Sequence, residues 1–158
     1  MTVRPALCCL LLALAACHHE APPPDGDIPA TLTVPSLDEA AFDPASLHGA
    51  PALVLFISPS CAHCLKELPR AQAVARAAGA GVVAVFVSGN RASDRAFVQQ
   101  TKFAGPVLVD DGSLRNLYAV DHVPYTLVLG GDGHARAAFI GERDEATLRD
   151  ALADANAR

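Results

Sequence analysis

A chain of 158 residues, 51% of them apolar, can bury one sizeable core and is too short for two comfortable domains. Its 17 acidic residues outnumber its 12 basic ones. That leaves no basic footprint for a phosphate backbone, so no nucleic-acid partner is expected.

Met1 to Ala16 carries one basic residue, Arg4, then an apolar run from Ala6 to Leu14, then small residues. The run is shorter than the roughly 20 apolar residues a bilayer span requires, so 1–16 reads as a secretory signal peptide. Its end, Leu14-Ala15-Ala16-Cys17, resembles the lipobox of bacterial lipoproteins. The resemblance implies that Cys17 receives a diacylglyceryl group and becomes the mature N-terminus. Two or more acyl chains anchor stably, so lipidation is expected to hold the protein at an envelope membrane, facing the periplasm or the exterior, without a spanning helix. Cys8 and Cys9 then leave with the signal and Cys17 is committed to lipid, so of five cysteines only Cys61 and Cys64 remain. Loss of Arg4 leaves 11 basic against 17 acidic residues, a formal charge of about −6 under ordinary protonation. His18 and His19 beside the anchor are too few to build a metal site.

Residues 17–30, with Pro22-Pro23-Pro24 and Asp25-Gly26-Asp27, have no apolar period and read as an extended tether. The folded domain is expected over 31–158, opening with a short edge strand at Thr31 to Val34. Ala52 to Ile57 is a continuous apolar run suited to a strand buried on both faces. Cys61 to Ala78 has a helical apolar period closed by Gly79. Gly81 to Val87 predicts a second buried strand, and Ser93 to Ala104 a second helix capped by Ser93 or Asp94. Val107 to Val109 is strand-like and Ser113 to Tyr118 a brief helix. Tyr125 to Leu129 and Ala135 to Ile140 read as strands joined by the turn Gly130-Gly131-Asp132-Gly133. A last helix has Asp144 as N-cap and Leu148, Ala151, Leu152 and Ala155 on one face. Strands alternating with helices, then a hairpin and a closing helix, indicate an α/β fold with a sheet covered on both faces.

The chemically informative segment is Ser58-Pro59-Ser60-Cys61-Ala62-His63-Cys64, a Cys-x-x-Cys where a buried strand meets a helix. With Ser60 as N-cap, Cys61 sits in the first turn, where unpaired N–H groups and the helix dipole stabilise a thiolate. Such placement lowers a thiol pKa from about 8.5 into a range of roughly 3.5 to 7.5. Cys61 is therefore the expected nucleophile. Cys64, one turn on and more buried, is placed to resolve a mixed disulfide. The competing readings are a static bridge, which would restrict so short a loop little, and half of a zinc site, for which the other ligands are missing. An imidazolium at His63, between the cysteines, would favour the thiolate and make the couple more oxidising.

With these residues in place the chain resembles the thioredoxin superfamily, and within it the TlpA/ResA-type membrane-anchored redoxins. Three segments carry the resemblance: Cys61-x-x-Cys64-x-x-Glu67-x-Pro69; Gly105-Pro106-Val107-Leu108-Val109-Asp110 with Asp111-Gly112 and Tyr118-x-Val120; and Val123-Pro124-Tyr125-Thr126 leading to Gly131-Asp132-Gly133. Together they span the whole expected domain. The resemblance implies a thioredoxin-like fold, a central mixed sheet with helices on both faces, and a protein-disulfide oxidoreductase whose redox group is the Cys61–Cys64 disulfide, with no other cofactor. It implies that Pro124 is a cis-proline facing the dithiol, leaving the backbone of Val123 free to pair with an extended substrate segment. Partners implied are exported proteins with cysteines or disulfides and an upstream membrane thiol donor, with the protein itself a monomer.

Two departures stand out. Leu55 occupies the place where thioredoxin carries a buried Asp, so the usual proton acceptor for the second cysteine is missing. Glu67 matches the acidic residue of the TlpA/ResA motif and is the substitute, unless it is a solvated helix carboxylate. Ser60 replaces the family's aromatic residue before the first cysteine.

Three rival functions use the same residues. An oxidant or isomerase would follow from His63. A peroxiredoxin-like peroxidase would use Ser58, although Val54 stands where that family has proline. A copper carrier would take Cys61 and Cys64 as soft ligands, distantly resembling SCO-type copper proteins.

Overall fold

The computed structural model describes residues 34–157 and the backbone of the two-residue strand β1, Glu20–Ala21. The expected signal peptide, Cys17, the His18-His19 pair and residues 31–33 lie outside the described residues.

The strands β2 (Ala52–Ile57), β3 (Gly81–Phe86), β4 (Val107–Val109), β5 (Tyr125–Leu129) and β6 (Ala135–Ile140) form one mixed sheet with β1, in the order β1-β6-β5-β2-β3-β4. β2, β3 and β4 run parallel, while β5 is antiparallel to β2 and β6 to β5. The helices are α1 (Ala62–Ala78), α2 (Arg91–Thr101), α3 (Ser113–Leu117) and α4 (Glu145–Asn156).

β2 is buried along its whole length because it is central and covered on both faces. Its side chains alternate between two cores. Leu53, Leu55 and Ile57 join Cys64, Leu68, Ala71, Phe97, Leu148 and Leu152 beneath α1, α2 and α4. Val54 and Phe56 join Leu47, Val85, Leu114, Tyr118 and Tyr125 on the other face. Phe56 meets the rings of Tyr118 and Tyr125 edge to face, with centroids 6.0 and 5.7 Å away, a favoured arrangement.

Local structure departs from expectation in three places. Glu20 and Ala21, expected in a free tether, pair antiparallel with Phe139 and Ala138. Val34, the one described residue of the edge strand expected at 31–34, is buried outside any strand, and the next two residues, Pro35 and Ser36, bridge to Ala41 and Leu108. α2 starts at Arg91, two residues before the expected start, because Asn90 accepts from the backbone of Ala92 and Ser93 while the Ser93 hydroxyl bonds the N–H of Asn90. Ser93 is the N3 member of a capping box, in the first turn, not the cap itself.

β2 ends, β5 begins and β6 ends at the same end of the sheet, since Phe56 pairs with Tyr125 and Tyr125 with Ile140. The start of α1 and the connections before β5 and after β6 meet there.

Candidate active site

The turn Ser58 to Cys61, closed by Cys61 N–H donating to the Ser58 carbonyl at 3.1 Å, delivers the chain from β2 into α1. Its hydroxyls are tied together. Ser88 donates to Ser58 at 2.8 Å, and Ser58 and Ser60 lie 3.0 Å apart. The helix cap expected at Ser60 is Cys61 itself. Its φ and ψ are extended, and its Sγ accepts the backbone N–H of Cys64 at 3.1 Å. Sulfur thus occupies the position where a capping oxygen normally satisfies an orphan donor. An anionic sulfur there is stabilised by that N–H and by the positive end of the helix dipole.

Cys61 and Cys64 are joined as a disulfide, with Cα atoms 5.2 Å apart. Cys64 is fully buried and Cys61 partly so. The attacking and resolving assignments therefore correspond to a reachable and an unreachable sulfur. The Cys61 Sγ lies 3.8 Å from the carbonyl oxygen of Val123, and the Val123–Pro124 peptide bond is cis. The two residues expected to bind substrate, Val123 and Pro124, thus stand beside the dithiol.

Glu67 is fully buried, not the solvated carboxylate that was the alternative. It follows Cys64 by three positions and shares its helix face. Its Oε1 accepts from the Thr126 hydroxyl at 2.6 Å and its Oε2 from the Arg143 N–H at 3.0 Å. Burial pushes its carboxyl above the usual range, while those two donors pull it down. Leu55, in the place of the family's aspartate, is fully buried in the core, and Glu67 is the fully buried acid of α1.

His63 is largely exposed, with 68% of its side chain accessible. Its Nδ1 lies 2.7 Å from Oε2 of Glu142, whose Oε1 takes Arg70 at 3.1 Å. The His63 hydrogen bond, then Arg70, hold the Glu142 carboxyl below its usual range. Three residues at one helical spacing on α1, His63, Glu67 and Arg70, therefore grip the segment after β6, since Arg70 also bonds the Arg143 carbonyl. A cleft of about 620 Å³ runs between them, bounded by His63 and Arg70, by Val123 and Pro124, and by Gly141 to Asp144.

Glu142, Arg143, Arg70 and Ser88 were not singled out in the sequence. Nothing local marks them, because their partners are distant in the chain. Among the described residues no group of three or more His, Cys, Asp or Glu is placed to hold a metal ion, and no helix is long and apolar enough to cross a membrane.

A central mixed sheet with helices on both faces, and a disulfide where β2 meets α1 beside a cis-proline, defines a thiol-disulfide oxidoreductase of the thioredoxin fold. Solved structures similar to it include a DsbE-homologous disulfide oxidoreductase and StoA. It is 28% identical to a secreted Mycobacterium tuberculosis disulfide oxidoreductase homologous to Escherichia coli DsbE, with a TM-score of 0.70 over 78% of this chain and 95% of that one. StoA from Bacillus subtilis superposes with a TM-score of 0.64 over 80% of this chain and 98% of that one; at 21% identity it speaks for the fold. In sequence, the methylamine utilization protein MauD of Methylobacillus flagellatus is 35% identical over 89 residues, 56% of this chain and 43% of that protein. The match thus spans less than half the length of that relative. No family model matches the chain.

Proposed function

We propose that the protein is an exported, lipid-anchored disulfide reductase or exchange protein, with the boundaries 1–16 for a cleaved signal peptide, 17–30 for the lipidated N-terminus and tether, and 31–158 for the catalytic domain. The observation that carries the chemistry is Cys61 as the N-cap of α1, its sulfur accepting the Cys64 N–H at 3.1 Å and lying 3.8 Å from the Val123 carbonyl. Cys61 attacks a partner disulfide, Cys64 resolves the mixed disulfide, and the backbone of Val123 beside Pro124 receives the partner's extended segment. Glu67, buried three residues after Cys64, is the proton acceptor that lets the resolving sulfur ionise.

A reducing direction is favoured over an oxidising one because the positive charge that His63 could bring to the dithiol is paired with the Glu142 carboxylate. The substrates are exported proteins with disulfides, and the electrons come from a membrane thiol protein. The secreted oxidoreductase of Mycobacterium tuberculosis supports the exported setting. Lipidation of Cys17 accounts for anchoring in the envelope. β1 starts three residues after Cys17, at the end of the sheet where β6 finishes. Three residues span at most about 10 Å, so the lipid would keep that end of the domain near the membrane surface.

The test is reduction of insulin and a glutathione titration. Activity must vanish in Cys61→Ser, and a potential near about −270 mV suits a reductant whereas one near about −120 mV suits an oxidant. Activity unchanged in Cys61→Ser ends the proposal.

A further inference from the structure

A disulfide exchange needs more than a nucleophile. When Cys61 attacks, the partner's second sulfur departs with the electron pair of the broken bond, and the higher the pKa of that thiol the more slowly it leaves, so a proton donor beside it would speed the step. Cys64 and Glu67 cannot supply that proton to the partner, because both are fully buried. The cleft is lined by one imidazole, and it is exposed. It belongs to His63, which lines the cleft together with Val123 and Pro124.

The imidazole is not loose. Its Nδ1 lies 2.7 Å from the Glu142 carboxylate, and Glu142 is itself fixed by Arg70 at 3.1 Å. The segment carrying Glu142 is fastened in turn by the bond from Arg143 N–H to Glu67 at 3.0 Å. A carboxylate on one ring nitrogen sets the ring's orientation and tautomer and leaves the other nitrogen for chemistry, the logic of a carboxylate–histidine pair in acyl transfer. Among the described residues, Nε2 of His63 has no hydrogen-bond partner. The charged groups about the pair are Lys66 and Arg70 from α1, both acting on Glu142, and Arg143 next to it in the chain.

We propose that His63 is the general acid for the partner's leaving thiol and that Glu142 is the positioning residue that aims it. The Cys61 thiolate attacks one partner sulfur, the Cys61–partner disulfide forms, and the partner's own S–S bond breaks. Its electron pair stays on the departing sulfur, which takes the Nε2 proton of the His63 imidazolium and leaves as a neutral thiol. Solvent returns a proton to the exposed imidazole. Cys64 then attacks the Cys61 sulfur, so that the Cys61–Cys64 disulfide forms and the partner sulfur first attacked is released from Cys61 with the electron pair of the broken bond. This rests on the dithiol being the reacting group, as proposed above.

The test separates proton donation from a general charge effect through the leaving group. Reduced protein is mixed with two uncharged disulfides, oxidised 2-mercaptoethanol, whose high-pKa alkyl thiol leaves slowly and gains most from a proton donor, and 2,2′-dithiodipyridine, whose thiol leaves readily without one. The first step is timed by acid quenching and mass measurement. In His63→Gln the rate with the alkyl disulfide is expected to fall about a hundredfold further than the rate with the pyridyl one, at the modest end of general-acid effects. Glu142→Gln is expected to show the same selectivity at about threefold, and Glu142→Asp to restore part of it. An equal fall with both disulfides would overturn the assignment, because a change in Cys61 reactivity alone affects both alike. Failure of unmodified reduced protein to react with either disulfide through Cys61 would instead defeat the dithiol reading beneath it. Both side chains are at least partly exposed, so neither substitution threatens the fold.

Discussion

The Thr126 hydroxyl donates to the Glu67 carboxylate at 2.6 Å across the interface between β5 and α1, joining residues 59 positions apart in the chain. Burial alone would drive this acid towards its neutral form, whereas the hydroxyl and the Arg143 N–H stabilise the charge; burial wins, and the carboxyl titrates above its ordinary range. A group whose folded pKa is raised favours the folded state at low pH and withdraws that contribution as pH climbs through the raised value. Glu67→Gln keeps the shape, and its amide can bond both neighbours with the Thr126 hydroxyl turned to accept. The variant is therefore expected to match the parent near pH 4 and to be increasingly more stable than it at higher pH. Urea melts at pH 4 and pH 8 measure this, and a pH-independent difference would show that Glu67 does not titrate differently on folding.

Thr126→Val probes the same contact from the other side. The substitution is close in volume and leaves Oε1 of Glu67 buried with no hydroxyl beside it. Loss of a partner from a buried polar atom costs about 1–3 kcal/mol. That cost is expected to be larger at pH 8, where the unpaired oxygen carries charge, than at pH 4. In a Glu67→Gln background the pH dependence of the Thr126→Val effect should vanish, which a double-mutant cycle at the two pH values reads directly.

How far these features were legible depends on the distance over which each is determined. β2 was readable because burial on both faces writes an unbroken apolar run into the sequence, and the observed strand is the expected Ala52–Ile57. The dithiol and the N-cap Asp144 were readable because each is a local pattern, whereas the cis bond before Pro124 followed only from the family resemblance. Local reading erred where two residues could fill one role. Ser60 looked like the cap of α1, yet the sulfur of Cys61 fills it, and Ser93 looked like the cap of α2 when Asn90 is. The burial of Glu67 was beyond local reading, because Thr126 and Arg143 come from 59 and 76 residues away. Glu142 meets His63 across 79 residues, and nothing near either marks the pair.

The unequal exposure of the two sulfurs separates their variants. Cys64→Ser is expected to react with a partner disulfide and stop, because its reachable Cys61 has no resolving thiol, so a mixed disulfide accumulates on a non-reducing gel and dissolves with dithiothreitol. Cys61→Ser leaves only a sulfur with no solvent exposure and should trap nothing. Alkylation of reduced protein by iodoacetamide should show Cys61 reacting well below the ordinary thiol value of about 8.5, since the Cys64 N–H and the start of α1 stabilise its anion. If Cys64 is modified first, the two roles are reversed.

Gly89 holds the segment after β3 against the turn that leads into Cys61, and it can do so only without a side chain. Its φ is +108°, a conformation L side chains rarely adopt, and a Cβ there would stand 2.7 Å from Oδ1 of Asp94 and 2.8 Å from Cγ of Pro59. Asp94 has little room to yield, being 1% exposed on the first turn of α2, with burial pushing its carboxyl up. Gly89→Ala is expected to cost about 1–3 kcal/mol from the backbone conformation alone, with the collision adding to it. Asp94→Ala in the same chain removes one of the two collisions but not the backbone strain or the contact with Pro59. The double variant should therefore recover only part of the stability, as read by urea denaturation against each single variant. Full recovery would assign the whole cost to the carboxylate, and none would assign it to the backbone and Pro59, the residue through which this segment bears on the Ser58 to Cys61 turn.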